Sequence, residues 1–337
     1  MNIIKNNRNR CYNMGTMILK KLALLLFILC LGACARPLPD GDAPDAATYR
    51  VATDIRFNLA KRDFLLHIPP GAAAEAPLPL VVVLHGAFST AAQTETETGF
   101  SQLADKENFF VAYPEGIGIF GYLQHWNAGH CCGKAARDDI DDIAFVDAVI
   151  NKTKALVAID NSRIYMAGMS NGGMLTYRYA AERGSGLAAI AVVSGVIGSR
   201  EKPDNPEWLL PPPSSPLPVI AFHGTGDKHI PIAGGASPRK GGGRSYSSFT
   251  EAQRFWQEAN RCTDDVVTST GLSGSLEKSI ISDCADGSRI EYFRLKDWGH
   301  QWPAEYFTSD LPESDKLKGF NATEQIWNFF RQFKRTP

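Results

Sequence analysis

A serine hydroxyl attacks a carbonyl only when a base removes its proton and its turn holds it clear of the backbone. The segment Gly168-Met169-Ser170-Asn171-Gly172 has the spacing for such a turn. Residues 163–168 read as strand and 172–183 as helix, so Gly168 and Gly172 permit a sharp strand-to-helix bend with Ser170 at its tip. An oxyanion that develops there needs two N–H donors fixed in advance. Asn171, next to the serine, offers one from its backbone. The other is expected from the turn His85-Gly86-Ala87-Phe88, which follows the apolar run 78–84. Ala87 is favoured and Phe88 is the alternative. His85 itself reads as a structural hydrogen-bonding residue.

Where a serine turn of this kind opens a helix, the partners follow in the order acid, then histidine. The strand expected at 218–223 runs into Gly224-Thr225-Gly226-Asp227, which places Asp227 at a strand's carboxyl end. An acid there can accept the imidazole Nδ1–H and fix its tautomer. Residues 290–295 lead into Asp297-Trp298-Gly299-His300-Gln301-Trp302-Pro303, and His300 is the expected base. His223 and His229 compete for that role but flank the acid too closely, while His67, His125 and His130 precede the serine. Trp302, two residues beyond His300, is kept as a substrate contact; Trp126 and Trp298 read as core. The run Asp138-Asp139-Ile140-Asp141-Asp142 could hold calcium, but carboxylates before a helix read first as caps and dipole partners. No spacing of His, Cys or Asp reads as zinc, and no phosphate-cradling loop follows the first strand. No metal and no cofactor are expected.

These residues need a scaffold that brings strand ends together. Strands are expected at 62–68, Leu78–Leu84, 109–113, 163–168, 188–194 and 218–223, with a strand pair at 276–282 and 290–295. Helices are expected across 90–108 and at 142–157, 172–183, 251–260 and 324–333. The run at Leu78–Leu84 is apolar throughout, as in a strand covered on both faces. Alternation of this kind predicts the α/β class, with a mostly parallel sheet and helices on both faces. Residues 201–218 read as a loop inside the domain, and 234–248, with three consecutive glycines, as a mobile surface loop.

The chain has 337 residues, 44% hydrophobic and 21% charged, with a formal net charge of −1. That balance fits a single large domain and supplies no global field for nucleic acid. The amino end reads as a processing segment. Lys20 and Lys21 precede the apolar run 22–31, too short to span a bilayer, and Leu31-Gly32-Ala33-Cys34 closes it. An ordinary signal peptide is one reading. The favoured one is a lipobox, with residues 1–34 as signal and lipobox and Cys34 as the acylated first mature residue. A natural start at Met14 or Met17 fits that reading better than Met1. Residues 35–47 then form a Pro/Ala/Asp/Gly tether, and 48–337 the single domain. Of the seven cysteines, four would remain in an oxidising compartment beside Cys34. Cys262 with Cys284 is the favoured bridge, because it closes one local loop; a bond between the adjacent Cys131 and Cys132 would be strained.

Several of these segments in one order carry a resemblance. Leu84-His85-Gly86, Trp126-Asn127-Ala128-Gly129 with Cys131-Cys132-Gly133, Asp141-Asp142, Gly168 to Gly173, His223-Gly224 with Asp227, and Gly299-His300 with Trp302-Pro303 resemble the extracellular polyhydroxybutyrate depolymerase and feruloyl esterase family. This family is carbohydrate esterase family one in the broad sense, within the α/β hydrolases. The resemblance covers most of the chain from Tyr49 onward. It implies the α/β-hydrolase fold with an eight-stranded sheet, no cofactor, and hydrolysis of esters in or on polymers. It assigns nucleophile, acid and base to Ser170, Asp227 and His300. His130, where glycine is usual before the paired cysteines, and Ala304, where glycine usually follows Trp-Pro, depart from the pattern near the expected mouth of the site. No further polymer-binding module is expected after Phe333. The function expected is a lipid-anchored, extracytoplasmic serine carboxylesterase acting on feruloyl or acetyl esters of plant polysaccharide, or on 3-hydroxybutyrate-type esters. A serine peptidase of the same fold, or a binding lipoprotein without catalysis, is the alternative.

Overall fold

In the computed structural model, residues 46–335 are described apart from 73–76, 120, 203, 206, 239–242 and 264, together with Arg36 and Pro37. Cys34 and most of the tether lie outside the described residues.

Apolar β-branched runs dominate the centre of the chain and build one large sheet. Its strands, in chain order, are β1 (Ala47–Phe57), β2 (Ala60–Ile68), β3 (Leu78–Leu84), β4 (Phe110–Pro114), β5 (Ile159–Met169), β6 (Ala189–Val193), β7 (Val219–Gly224), β8 (Val267–Gly271), β9 (Leu276–Ile281) and β10 (Ile290–Leu295). They lie side by side in the order β1-β2-β4-β3-β5-β6-β7-β10-β9-β8. From β4 to β10 every neighbouring pair is parallel. The antiparallel pairs β1–β2 and β2–β4 extend one edge, and β10–β9 and β9–β8 the other. Every residue of β3, β4, β6 and β7 is buried, as expected for strands covered on both faces.

Among the described residues the α-helices are α1 (Ala91–Thr98), α2 (Phe100–Glu107), α3 (Gly133–Arg137), α4 (Asp142–Leu156), α5 (Asn171–Arg183), α6 (Phe249–Ala259), α7 (Glu305–Thr308) and α8 (Ala322–Phe330). This is the α/β architecture expected from the sequence. Among the described residues the sheet is larger than the eight strands implied, with the ten strands named above. The additions are edge strands. β8 is exposed along its whole length, so its sequence carries no apolar signal to announce it.

Three other expectations change. Residues 90–108 hold two helices, because Gly99 takes the left-handed conformation that ends α1, with φ of 69°. The segments 201–218 and 234–248 are not loops throughout. Trp208–Leu209, Gly235–Ala236 and Ser245–Tyr246 join Gly198–Arg200 in a separate four-stranded sheet of very short strands. Two-residue strands have no periodicity to read. Cys262 pairs with Cys284, and Cys131 is also joined to Cys132, the bond the sequence reading disfavoured.

Candidate active site

Ser170 sits between β5 and α5 with φ of 52° and ψ of −121°, a conformation that non-glycine residues rarely adopt. Its neighbours make the bend possible. A Cβ on Gly168 would collide with the Gly172 carbonyl oxygen, and a Cβ on Gly172 would collide with the carbonyl oxygens of Leu84 and His85. Those two glycines let α5 start against the end of β3. The Ser170 N–H donates to the Val193 carbonyl at 2.8 Å, which pins the turn to the next strand.

Three side chains from separate strand ends meet here. His300 Nε2 lies 2.8 Å from Ser170 Oγ, and His300 Nδ1 lies 2.6 Å from Asp227 Oδ2. Asp227 follows β7 and His300 follows β10, adjacent parallel strands, so their loops emerge on the same edge. The other Asp227 oxygen, Oδ1, accepts the N–H groups of His229 at 2.8 Å and Ile230 at 3.0 Å. Burial alone would raise the Asp227 pKa. Hydrogen bonds from His223 and His300, the His300 charge and the Ile230 N–H outweigh it and hold the carboxyl well below the ordinary carboxylate range. His223 and His229, the competing histidines, stand around this acid and not at the serine. His223 Nε2 is 2.9 Å from the Ile230 carbonyl, and the His229 ring stacks on His300 at 4.8 Å between centroids.

On the other side of Ser170, Gly86 approaches so closely that a Cβ there would lie 3.5 Å from the serine Cβ. The Phe88 N–H donates to the Gln124 carbonyl at 2.8 Å, which commits it elsewhere and leaves Ala87 as the favoured residue of this turn. His85 is fully buried. Burial first of all pushes its pKa down to about 4, so the ring is neutral, with Nδ1 at 2.8 Å from the Gly86 carbonyl and Nε2 accepting from the Gly116 N–H. That is a structural role, as the sequence suggested.

The sequence reading missed what braces this turn. The buried Asn171 side chain accepts from the Trp126 N–H at 2.7 Å and donates to the Trp126 carbonyl at 3.0 Å. The Trp126 indole N–H in turn donates to the His85 carbonyl at 2.9 Å. One tryptophan thus ties both expected oxyanion segments together. Next to it, the Asn127 N–H donates to Asp142 Oδ2 at 2.7 Å, and Asp142 Oδ1 is ion-paired with Arg62 at 2.7 Å. Of the acidic run, Asp141 is the cap of α4, accepting from Ala144, while Asp142 belongs to this buried pair. The Trp-Asn dipeptide and the Asp-Asp pair were the available signals, but nothing in spacing shows that they touch.

Ser170, His300, Trp302, Ala87, Phe88, Met169 and Glu97 are among the residues around a cavity of about 210 Å³. Trp302 is buried there, with its indole N–H donating to Thr323. The two departures from the family pattern are not at the mouth of this cavity. His130 is buried, stacked on Trp208 at 5.0 Å and 2.8 Å from Ser199 Oγ, and burial pushes its pKa down to about 3. Ala304 is buried and borders an adjoining cavity. Among the described residues, no group of three or more His, Cys, Asp or Glu could hold a metal ion. No helix among them is long and apolar enough to cross a membrane.

A parallel sheet with a strained serine turn at its centre, and an acid and histidine on neighbouring strand ends, defines an α/β hydrolase. Residues 62–202 match the family described as esterase PHB depolymerase. NocK of Nocardia uniformis subsp. tsuyamanensis, an esterase by name, is 27% identical over 290 residues, covering 82% of this chain and 80% of its own length. Feruloyl esterase B of Piromyces equi is 25% identical over 274 residues, covering 81% of this chain but only 45% of its own. Among solved structures, the acetyl xylan esterase from Aspergillus awamori superposes with a TM-score of 0.56 at 14% identity, covering 84% of this chain and 99% of that one, a likeness of fold. The chain is a carboxylic ester hydrolase, similar to polyhydroxybutyrate depolymerases and feruloyl esterases.

Proposed function

We propose that the protein is an extracytoplasmic, lipid-anchored serine carboxylesterase working through an acyl-enzyme on Ser170. The observation that carries this reading is the continuous path Ser170–His300–Asp227, with links of 2.8 and 2.6 Å. His300 Nε2 takes the Oγ proton as Oγ attacks the ester carbonyl, and Asp227, held ionised, stabilises the imidazolium. The backbone N–H groups of Ala87 and Asn171 hold the oxyanion. Collapse of the tetrahedral species expels the alcohol, which leaves with the proton from His300. Water then attacks the acyl-serine with His300 again as base, releasing the acid and restoring Ser170.

The substrates proposed are feruloyl or acetyl esters of plant polysaccharide, or 3-hydroxybutyrate-type esters. Trp302 borders the cavity beside Ser170 and is proposed to contact them. The names of the relatives support ester hydrolysis, and the Lys20-Lys21, apolar run and Cys34 order supports the lipobox.

Ser170→Ala should lower kcat on an activated aryl ester by several orders of magnitude, with the fold intact by circular dichroism. It should also abolish labelling by a fluorophosphonate. Retained turnover by this variant would reject the assignment. Cys34→Ser, expressed from the full chain, should move the protein from the membrane to the soluble fraction, since a single weak contact cannot replace buried acyl chains. Unchanged partitioning would count against the anchor.

A further inference from the structure

We propose that Glu97 sets the charge selectivity of the site, favouring esters with a neutral alcohol group over esters with an anionic one. This deepens the esterase reading and rests on Ser170 being its acyl acceptor.

Glu97 borders two cavities at once. One is the cavity of about 210 Å³ that contains Ser170 and His300; the other, of about 410 Å³, adjoins it across Glu97 and Thr98. The larger lies within the size range of ligand sites, about 300–1,000 Å³. Its far wall includes Ala304, Glu305, Tyr306 and Ser309, the stretch that follows His300 and Trp302 in the chain. His300 returns its proton to the departing oxygen, so the alcohol leaves on the His300 side. An alcohol group held in the smaller cavity lies in the same space as Glu97, which lines it together with Ser170 and His300.

The larger cavity is polar and acidic. Its lining carries three carboxylates, Glu97, Glu305 and Glu324, and one ammonium, Lys106. Carboxylates accept hydrogen bonds from hydroxyl groups and repel a second carboxylate. Glu97 is half-buried, and burial raises its pKa above the ordinary glutamate value. It also occupies the last turn of α1, where no basic residue offsets the negative end of the helix dipole. A carboxylate here works against local stability on two counts. Such breaks with local preference concentrate at functional positions.

The test compares two esters of the same acetyl group and nearly the same size, 3-acetoxybutyrate and 3-acetoxybutyramide, on the full-length protein. Wild type should show a kcat/KM roughly tenfold higher for the neutral amide at low salt, shrinking as salt is added. Glu97→Gln should bring the ratio close to one, and Glu97→Asp, which keeps the charge, should largely preserve it. Because the readout is a ratio, a general loss of activity in a variant cancels. The same ratio in wild type and Glu97→Gln, with p-nitrophenyl acetate hydrolysed by wild type, overturns the role of Glu97 alone. No hydrolysis of p-nitrophenyl acetate by wild type overturns the esterase reading and this one with it.

Discussion

At the scale of single residues, the site depends on charges and donors that are already in place. Asp227 has four donors around its two oxygens, His223, His300 and two backbone N–H groups of its own turn. The backbone donors fix the carboxylate, and the carboxylate fixes His300. Asp227→Asn keeps that shape but presents an amide to Nδ1, which favours the tautomer with the proton on Nε2, unable to accept from Ser170. The variant should retain its fold and lose about 10⁴-fold in kcat. A loss of less than tenfold, measured on an aryl ester near neutral pH, would remove Asp227 from the mechanism. Ser170, Asp227 and His300 were legible in the sequence because each lies within two residues of a glycine in a turn that ends a strand. The clasp of Asn171 on Trp126 was not, because 45 residues separate them and neither position is marked by spacing.

At the scale of elements, the start of α4 holds the loop behind the serine turn. Arg62 on β2 and Asp142 on α4 are both almost fully buried, and the Arg62 guanidinium also lies 3.5 Å over the Phe145 ring. Burial lowers the Arg62 pKa and raises that of Asp142, and their mutual attraction opposes both shifts. Such a pair adds little net stability over an apolar substitute, but removing one partner strands the other. Asp142→Ala leaves a buried guanidinium and an unmet Asn127 N–H, and should cost about 3–5 kcal/mol in urea unfolding. A midpoint within experimental error of wild type would reject the role assigned to the pair. The sequence located α4 to within a residue or so at each end, because its apolar spacing is helical. It read Asp142 as a cap, because a buried ion pair and a cap use the same residue type at the same place.

At the scale of the whole molecule, buried neutral histidines couple folding to pH. Burial holds His85 at about 4 and His130 at about 3, against 6.5 for an ordinary histidine. The unfolded chain takes up these protons as pH falls through 6.5, whereas the folded chain resists until about 4 and 3. Stability from the two neutral rings is therefore complete above 6.5 and is lost as pH falls through that window. Asp227, whose folded pKa is depressed, adds stability that is present above the ordinary carboxylate value and lost below it. With two rings the slope approaches about 2.7 kcal/mol per pH unit between the unfolded and folded values. Urea midpoints at pH 7, 5.5 and 4.5 should fall steadily; a flat series would contradict the burial of these rings.

The sequence by itself determined the α/β class, the central strands, the serine turn and the order of its partners, because burial on both faces, helical spacing and glycine turns are local signals. Tertiary structure alone decided which edge strands join the sheet, that His130 packs away from the cavity, and that Trp126 ties His85 to Asn171. It also decided that Glu97 stands between two cavities. Those are contacts between residues far apart in the chain, and the pairing of faces sets them, which no run of neighbouring residues encodes.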